Sequence, residues 1–322
     1  MLFQQNNSYK ETSIFERPPF VALFALTAAI AWGWAYPLIK LGFEEFGITM
    51  EMTTSKMLFA GLRFACSGLI ILLIAHRQHR RFAIRSKTDW RFILLFALVN
   101  TTLHYAFFYF GLSLSAGSRA SILNSLSVFS VVILACLFYK SDKLNLYKII
   151  GCIIGFCGLA MLNVNIPNIF HNGPTLANNI PSVSLLGDIM IIMNALCGAF
   201  ASLLTRGMAK RVDIFVGTGY SLGLGGVLLI IPALVMNASL PCVTPIGLLY
   251  LMLLIGISTI GFTLYNRLLI SNPIGKVAIY NSMIPVVGAL SSCLCLGEPF
   301  SIKYIIAGSL ASIGIFIVNK GK

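Results

Sequence analysis

From residue 214 to residue 266 this chain contains no charged side chain. A helix crosses the hydrocarbon core of a bilayer in about 20 residues, so this run must cross, turn and cross back. Asn237-Ala-Ser-Leu-Pro241, followed by Pro245, supplies the turn. Further uncharged runs cover 18–39, 92–118, 120–139 and 277–297. With 57% hydrophobic and 10% charged residues, against roughly 25% charged in ordinary soluble domains, the composition describes a polytopic membrane protein. The residues before the first run include Glu11 and Glu16 and do not read as a cleaved leader.

Ten spans are expected, at about 20–39, 57–75, 92–114, 119–139, 147–165, 186–205, 214–236, 246–266, 276–296 and 303–319. The formal charge of +13 does not point to nucleic acid, because the basic residues sit between apolar runs. If the N-terminus is cytoplasmic, 18 Lys and Arg fall inside, among them Arg77, Arg80, Arg81, Arg85, Lys87 and Arg91. Only Lys40, Lys56, Arg119 and Lys303 fall outside, and Arg63 lies within span 2. This bias, which cytoplasmic loops show, predicts that both termini face the cytoplasm of the cell (plasma) membrane.

One stretch is written twice. Residues 118–163 align with 275–319 so that Arg119 meets Lys276, Ile122 meets Ile279, Asn124 meets Asn281 and Ser125 meets Ser282. After a one-residue deletion, Asp142 meets Glu298, Gly158 meets Gly314 and Asn163 meets Asn319. Five spans per copy is an odd number, so the second copy enters the membrane from the opposite side. The expected fold class is therefore an all-α polytopic membrane protein, with ten transmembrane helices as two inverted five-helix repeats. Residues 1–19 form a cytoplasmic tail, 20–165 the first repeat, 166–185 an external linker, 186–319 the second repeat and 320–322 the cytoplasmic end. Inverted repeats place substrate sites near the midplane between the halves.

The polar and aromatic residues inside the spans are the candidate site. In span 1, Gly33 permits close approach and Pro37 frees a carbonyl one turn earlier, with Trp32, Trp34 and Tyr36 around them. Trp34 and Tyr36 are read either as cavity lining or as an interfacial belt. Arg63 either snorkels to water or faces a cavity and contacts an anion. His104 either bonds between helices or lines the site, and Tyr105, Phe108 and Tyr109 share part of its face. Asn100, Asn124, Asn194, Asn266 and Asn281 are amides within spans, and the repeat-related Asn124 and Asn281 are expected to act as a pair. Glu298 and Asp142 are read as caps of the helices that follow them. The substrate-binding set is Trp34, Tyr36, Arg63, His104, Tyr109, Asn124, Asn194, Asn266, Tyr280 and Asn281.

No enzymatic motif of the GxSxG, HExxH or GxxxxGK[ST] type occurs, so neither catalysis nor a nucleotide-driven pump is expected. Most of the eight cysteines fall in apolar runs, and Cys293-x-Cys295 has no second ligand pair, so no metal and no cofactor is expected.

The chain also resembles the drug/metabolite transporter superfamily, in its EamA-type ten-helix branch. The resemblance runs from about residue 20 to 319. Its marks are Trp32-Gly33 followed by Ile39-Lys40-Leu41-Gly42-Phe43-Glu44-Glu45-Phe46, then Leu62-Arg63-Phe64-Ala65, then Leu296-Gly297-Glu298-Pro299 before a Gly-rich last span. It implies a cavity ringed by spans 1–4 and 6–9, with spans 5 and 10 peripheral and sometimes at a homodimer contact. The function expected is a secondary transporter or facilitator of a small polar or amphipathic metabolite, amino-acid- or nucleoside-like, more often exporting it. The competing expectation is a non-transporting membrane scaffold or sensor whose cavity is filled by side chains. The partners expected are a small molecule, the lipid bilayer and a second copy, but no nucleic acid.

Overall fold

The computed structural model describes residues 13–82, 84, 86–138, 145–160, 185–272, 277, 279–299 and 302–320. Asp142, Asn163, Lys276 and residues 166–184 of the expected linker lie outside them. Among the described residues all regular structure is helical. The chain forms α1 (Pro18–Glu45), α2 (Thr53–Arg77), α3 (Lys87–Ala97), a π-helical turn (Leu98–Leu103) and α4 (His104–Ser113). It continues with α5 (Gly117–Asn124), α6 (Leu126–Phe138), α7 (Leu146–Ala160), α8 (Leu185–Ala209), α9 (Ile214–Val235) and α10 (Pro245–Ser271). A 3-10 turn (Ile279–Ser282), α11 (Met283–Leu296) and α12 (Ile302–Lys320) complete it.

Among the described residues six segments are long and apolar enough to cross a membrane: α1, α2, the continuous stretch Lys87–Ser113, α8, α9 and α10. Leu146–Gly158, Met283–Leu296 and Tyr304–Gly314 are shorter apolar helices. Large apolar side chains such as Leu69, Leu73, Met252 and Leu294 are exposed on the outside of the bundle. Water would penalise that surface, whereas lipid tails are as apolar as Leu.

Local chemistry sets the helix boundaries. Proline opens α1, where a missing N–H costs nothing. Ser86 accepts from the Asp89 N–H at 3.0 Å to cap α3, and Asp213 accepts from the Phe215 N–H at 2.9 Å to cap α9. The uncharged run from 214 is divided as its turn residues indicate. α9 ends at Val235, Asn237 takes a φ of 58°, and Thr244 caps the Pro-initiated α10 by accepting from the Gly247 N–H at 2.8 Å.

Helix pairs then assemble the bundle. α2 packs along α9, with Gly61 and Gly68 against Gly226 and Gly223, and a β-carbon at Gly61, Gly68 or Gly226 would collide with backbone. α7 packs on α12 at Gly155 and Gly314, to one side of the rest. α1 lies between α10 and α11, and α4 lies against α8. Pro37 leaves the Gly33 carbonyl without its helical donor, and the Ser291 hydroxyl of α11 reaches it at 3.5 Å. The stretches expected as spans 4 and 9 are both interrupted. α5 stops at Asn124, and Asn281 lies in the 3-10 turn before α11.

Candidate functional site

The interrupted helices meet a cavity of about 130 Å³ at the centre of the bundle. Trp32 and Tyr36 of α1, Arg63 of α2, Asn100 of the π turn, and His104, Tyr105 and Phe108 of α4 line it. Asn124, Ser127, Val131, Gly198, Ser202, Thr205, Phe262, Tyr265, Asn266, Asn281 and Ile284 complete the lining. The wall is mainly aromatic rings and neutral polar groups.

Hydrogen bonds hold these groups in place. Asn194 Nδ2 donates to Asn124 Oδ1 at 2.8 Å, and Asn124 Nδ2 donates to the Tyr36 hydroxyl at 2.9 Å. Asn281 Nδ2 likewise donates to the Tyr265 hydroxyl at 2.9 Å. The two asparagines at the helix breaks thus each anchor a tyrosine. They differ at the other end of the amide, because Asn281 Oδ1 is buried without a partner. Asn266 Nδ2 donates to Thr218 Oγ1 at 3.0 Å, tying α10 to α9. Asn100 Nδ2 donates to Ser221 Oγ at 2.9 Å, and Thr102 Oγ1 to the Gly225 carbonyl at 3.1 Å. The π turn, an element frequent at functional sites, thereby docks its polar side chains on α9.

Arg63 does not snorkel. It is 1% exposed, its Nε donates to Ser258 Oγ at 2.7 Å and the Leu254 carbonyl at 3.1 Å, and its Nη1 donates to the Tyr109 hydroxyl at 3.1 Å. Its guanidinium carbon lies 4.9 Å from the Phe64 ring centre, within cation–π range. His104 packs edge-on against Tyr105 at 4.6 Å, and its Nδ1 has no hydrogen-bond partner. Gly198 makes room for it, since a β-carbon there would come 2.8 Å from His104 Cε1.

At one end of the bundle, here the Glu298 end, buried polar contacts tie the helices together. Arg119 grips Asp188 with two bonds, Nε to Oδ1 at 3.0 Å and Nη2 to Oδ2 at 2.6 Å. Glu298 accepts from the Gly117 N–H at 2.8 Å, the Ser118 N–H at 3.0 Å and the Ser118 hydroxyl at 2.7 Å, and pairs with Lys40 at 3.6 Å. Glu298 therefore caps α5, while residues 300 and 301, ahead of the helix that follows it in sequence, lie outside the described residues. Gly297, at φ 61°, turns the chain just ahead of it. Lys56 is buried and donates to the Met50 carbonyl and to Ser113 Oγ. At the opposite, Arg80 end, a second pocket lies among Phe92, Leu204, Arg206 and Lys210. Thr205, between two of these residues in sequence, lines the central cavity.

A model of the EamA-like transporter family matches residues 19–164 and again 185–320. The chain belongs to the EamA-like transporter family. It is a multi-pass membrane transporter for a small molecule. Among proteins similar to this EamA-like transporter is the uncharacterized transporter YvbV of Bacillus subtilis, 26% identical over 92% of this chain and 91% of that one. An uncharacterized transporter of Archaeoglobus fulgidus is 24% identical, covering 92% and 96%. A WAT1-related chloroplastic protein of Arabidopsis thaliana is 24% identical, covering 83% of this chain and 63% of its own length. One solved structure, described only as "Crystal structure of protein", aligns with a TM-score of 0.67 at 17% identity, over 92% of this chain and 94% of that one. At that identity the likeness speaks for the fold alone.

Of the residues singled out in the sequence, Tyr36, Arg63, His104, Asn124, Asn266 and Asn281 line the cavity of this EamA-like transporter. Asn194 and Tyr109 stand behind the wall and hold Asn124 and Arg63. Trp34 is 42% exposed and faces away from the bundle. The physical reason is the helical period of 3.6 residues, which puts Trp32, not Trp34, on the face of Tyr36. Tyr280 packs beside the buried cluster around Val21 and Tyr265 and does not reach the cavity. Trp32, Asn100, Tyr105, Phe108, Phe262 and Tyr265 were left out of that set, as were Gly198, Ser202 and Thr205. The last three recur at i, i+4 and i+7 on α8, a stripe of small and polar residues that could have revealed them.

Proposed function

We propose that this transporter carries a small polar or amphipathic metabolite, amino-acid- or nucleoside-like, through the central cavity by alternating access. The observation that carries the reading is the cavity itself, central, rimmed by aromatic rings and amides, and bordered by two interrupted helices. Interrupted helices at a repeat interface are where transporters of this kind bind substrate. A scaffold or sensor would have its cavity filled by side chains, and a space of about 130 Å³ argues against that. In this reading Tyr36, Arg63, His104, Asn124, Asn266 and Asn281 contact substrate, while Asn194 and Tyr109 position two of them.

The family model's two matches, to residues 19–164 and 185–320, support two repeats of the same kind. The Lys and Arg distribution orients them as inverted sets of five spans joined by an external linker. The Arg80 end and both termini then face the cytoplasm of the plasma membrane, and net movement is outward. The α7–α12 pair, lying to one side, is available for a second copy. The buried contacts at the Glu298 end, Arg119 on Asp188 and Glu298 on α5, support an inward-accessible conformer.

Flux in proteoliposomes tests the cavity, using metabolites first found by thermal shift of the purified protein. Ligands raise the stability of the state that binds them. Ser202→Phe, which fills the cavity, is expected to abolish flux at unchanged expression and fold. Wild-type flux in that variant would place the path elsewhere. Single-cysteine labelling should find Gln78 accessible from inside and Ser239 from outside, and the reverse would invert the orientation.

A further inference from the structure

We propose that the substrate is a compact organic monoanion, a carboxylate on a single-ring-sized apolar body, and not a zwitterion or a neutral solute. The inference rests on the cavity being the substrate site and, among the small polar or amphipathic metabolites proposed for it, sets aside zwitterionic amino acids and neutral nucleosides in favour of a ring-bearing acid.

Its first support is charge. Among the described residues Arg63 is the one formally charged residue in the cavity wall, and it is 1% exposed. Its partners are a carbonyl and two hydroxyls, all neutral. Among the described residues no carboxylate lies within ion-pair distance of it, and neither Asp nor Glu lines the cavity. Burying a charge in a low-dielectric interior is unfavourable unless it is paired. A bound monoanion makes the loaded cavity neutral. A zwitterion would leave one net positive charge there and strand its ammonium without a carboxylate.

The second support is hydrogen-bonding capacity. The hydrogen bonds of Arg63 use Nε and Nη1 and leave Nη2 with no protein acceptor among the described residues. A guanidinium fork matches carboxylate geometry. Asn281 Oδ1 is a buried acceptor without a partner in the same wall, so a ligand hydroxyl or N–H has a place to donate. Size is the third support. A cavity of about 150 Å³ admits benzene, so the space here, about 130 Å³, holds at most one ring and leaves no room for a base joined to a sugar.

The test uses the full-length protein and three probes built on the same phenol ring. These are 4-hydroxybenzoate (an anion), 4-hydroxybenzamide (neutral) and 4-hydroxyphenylglycine (zwitterionic). Binding is read by isothermal titration and by shift of the melting temperature. The expected result is tenfold or tighter binding of the benzoate than of either other probe. In Arg63→Gln that preference should fall to within about threefold. Should Arg63→Gln fail to fold, the ranking of the three probes on wild type decides the question alone. Equal or tighter binding of the amide or the zwitterion overturns the inference and leaves the cavity as the substrate site. If none of the three binds but another metabolite does, the single-ring anion is wrong and the transport reading stands. If nothing binds and Ser202→Phe changes no flux, both fall together.

Discussion

The two ends of the bundle are both joined by ion pairs, but of different kinds. At the Glu298 end the Arg119–Asp188 pair is buried, at 9% and 7% exposure, and bidentate, with its shortest contact at 2.6 Å. At the Arg80 end, Arg80–Asp213 and Arg211–Asp89 are single contacts at 3.5 Å with partly exposed side chains. Water competes for the second kind and not for the first, so formally similar pairs hold the helices with unequal strength. The difference teaches where this conformer is latched. Exposing the cavity at the Glu298 end requires parting α8 from α5 and the Glu298 turn from both α5 and α1. Parting the Arg80 end costs little electrostatically.

The largest effect is expected from Arg119→Ala, which leaves Asp188 buried and unpaired. Such a loss costs roughly 3–5 kcal/mol, read as a lower melting temperature. A cysteine placed at Ser115 should also label faster. Arg119→Leu with Asp188→Leu should recover most of the melting temperature, because an apolar pair leaves no stranded charge. If the single substitution matches wild type, the latch is elsewhere.

Glu298→Gln should come next. The amide keeps the shape, but it replaces an anionic acceptor of two backbone N–H groups with a neutral one, and it turns its NH₂ toward a donor. Hydrogen bonds to charged groups contribute about 1.5–3 kcal/mol, so α5 should fray at Gly117 and label more readily at Ser118→Cys. A variant that labels as slowly as wild type would reduce Glu298 to a passive neighbour of Lys40.

Arg80→Ala and Asp89→Asn should each shift stability by no more than about 1 kcal/mol, the range of exposed pairs. A loss at this end as large as that of Arg119→Ala would erase the contrast between the two ends.

Much of the site could be read from residue type, and less of it from residue position. Arg63, His104 and the asparagines stood out because polar groups in apolar runs are expensive there, and structure places six of the ten named residues in the cavity wall. Trp34 and Tyr280 were drawn in by being aromatic near Tyr36 and Asn281 in sequence, whereas facing is set by helical phase. Asn194 and Tyr109 are polar for the sake of neighbours in the wall, and a sequence does not separate a group that meets substrate from one that holds such a group. Glu298 was read as a cap, and it is one, but of a helix about 180 residues earlier in the chain.

By its sequence alone the chain determined that it is helical, membrane-embedded and twice-repeated in pattern, with a turn between Val235 and Pro245. Those properties follow from the length of apolar runs, from the cost of charge in lipid and from local turn chemistry, all of which are written in neighbouring residues. Only the tertiary structure decided that Arg63 faces inward on hydroxyls and a carbonyl of α4 and α10. It alone joined Asn194, Asn124 and Tyr36 in one line of bonds, and made Arg119 and Asp188 a buried latch. The reason is that the partner of a buried polar group is set by helix rotation and packing. Those depend on side-chain fit across the whole bundle, such as the glycine seam between α2 and α9, and not on any single stretch of residues.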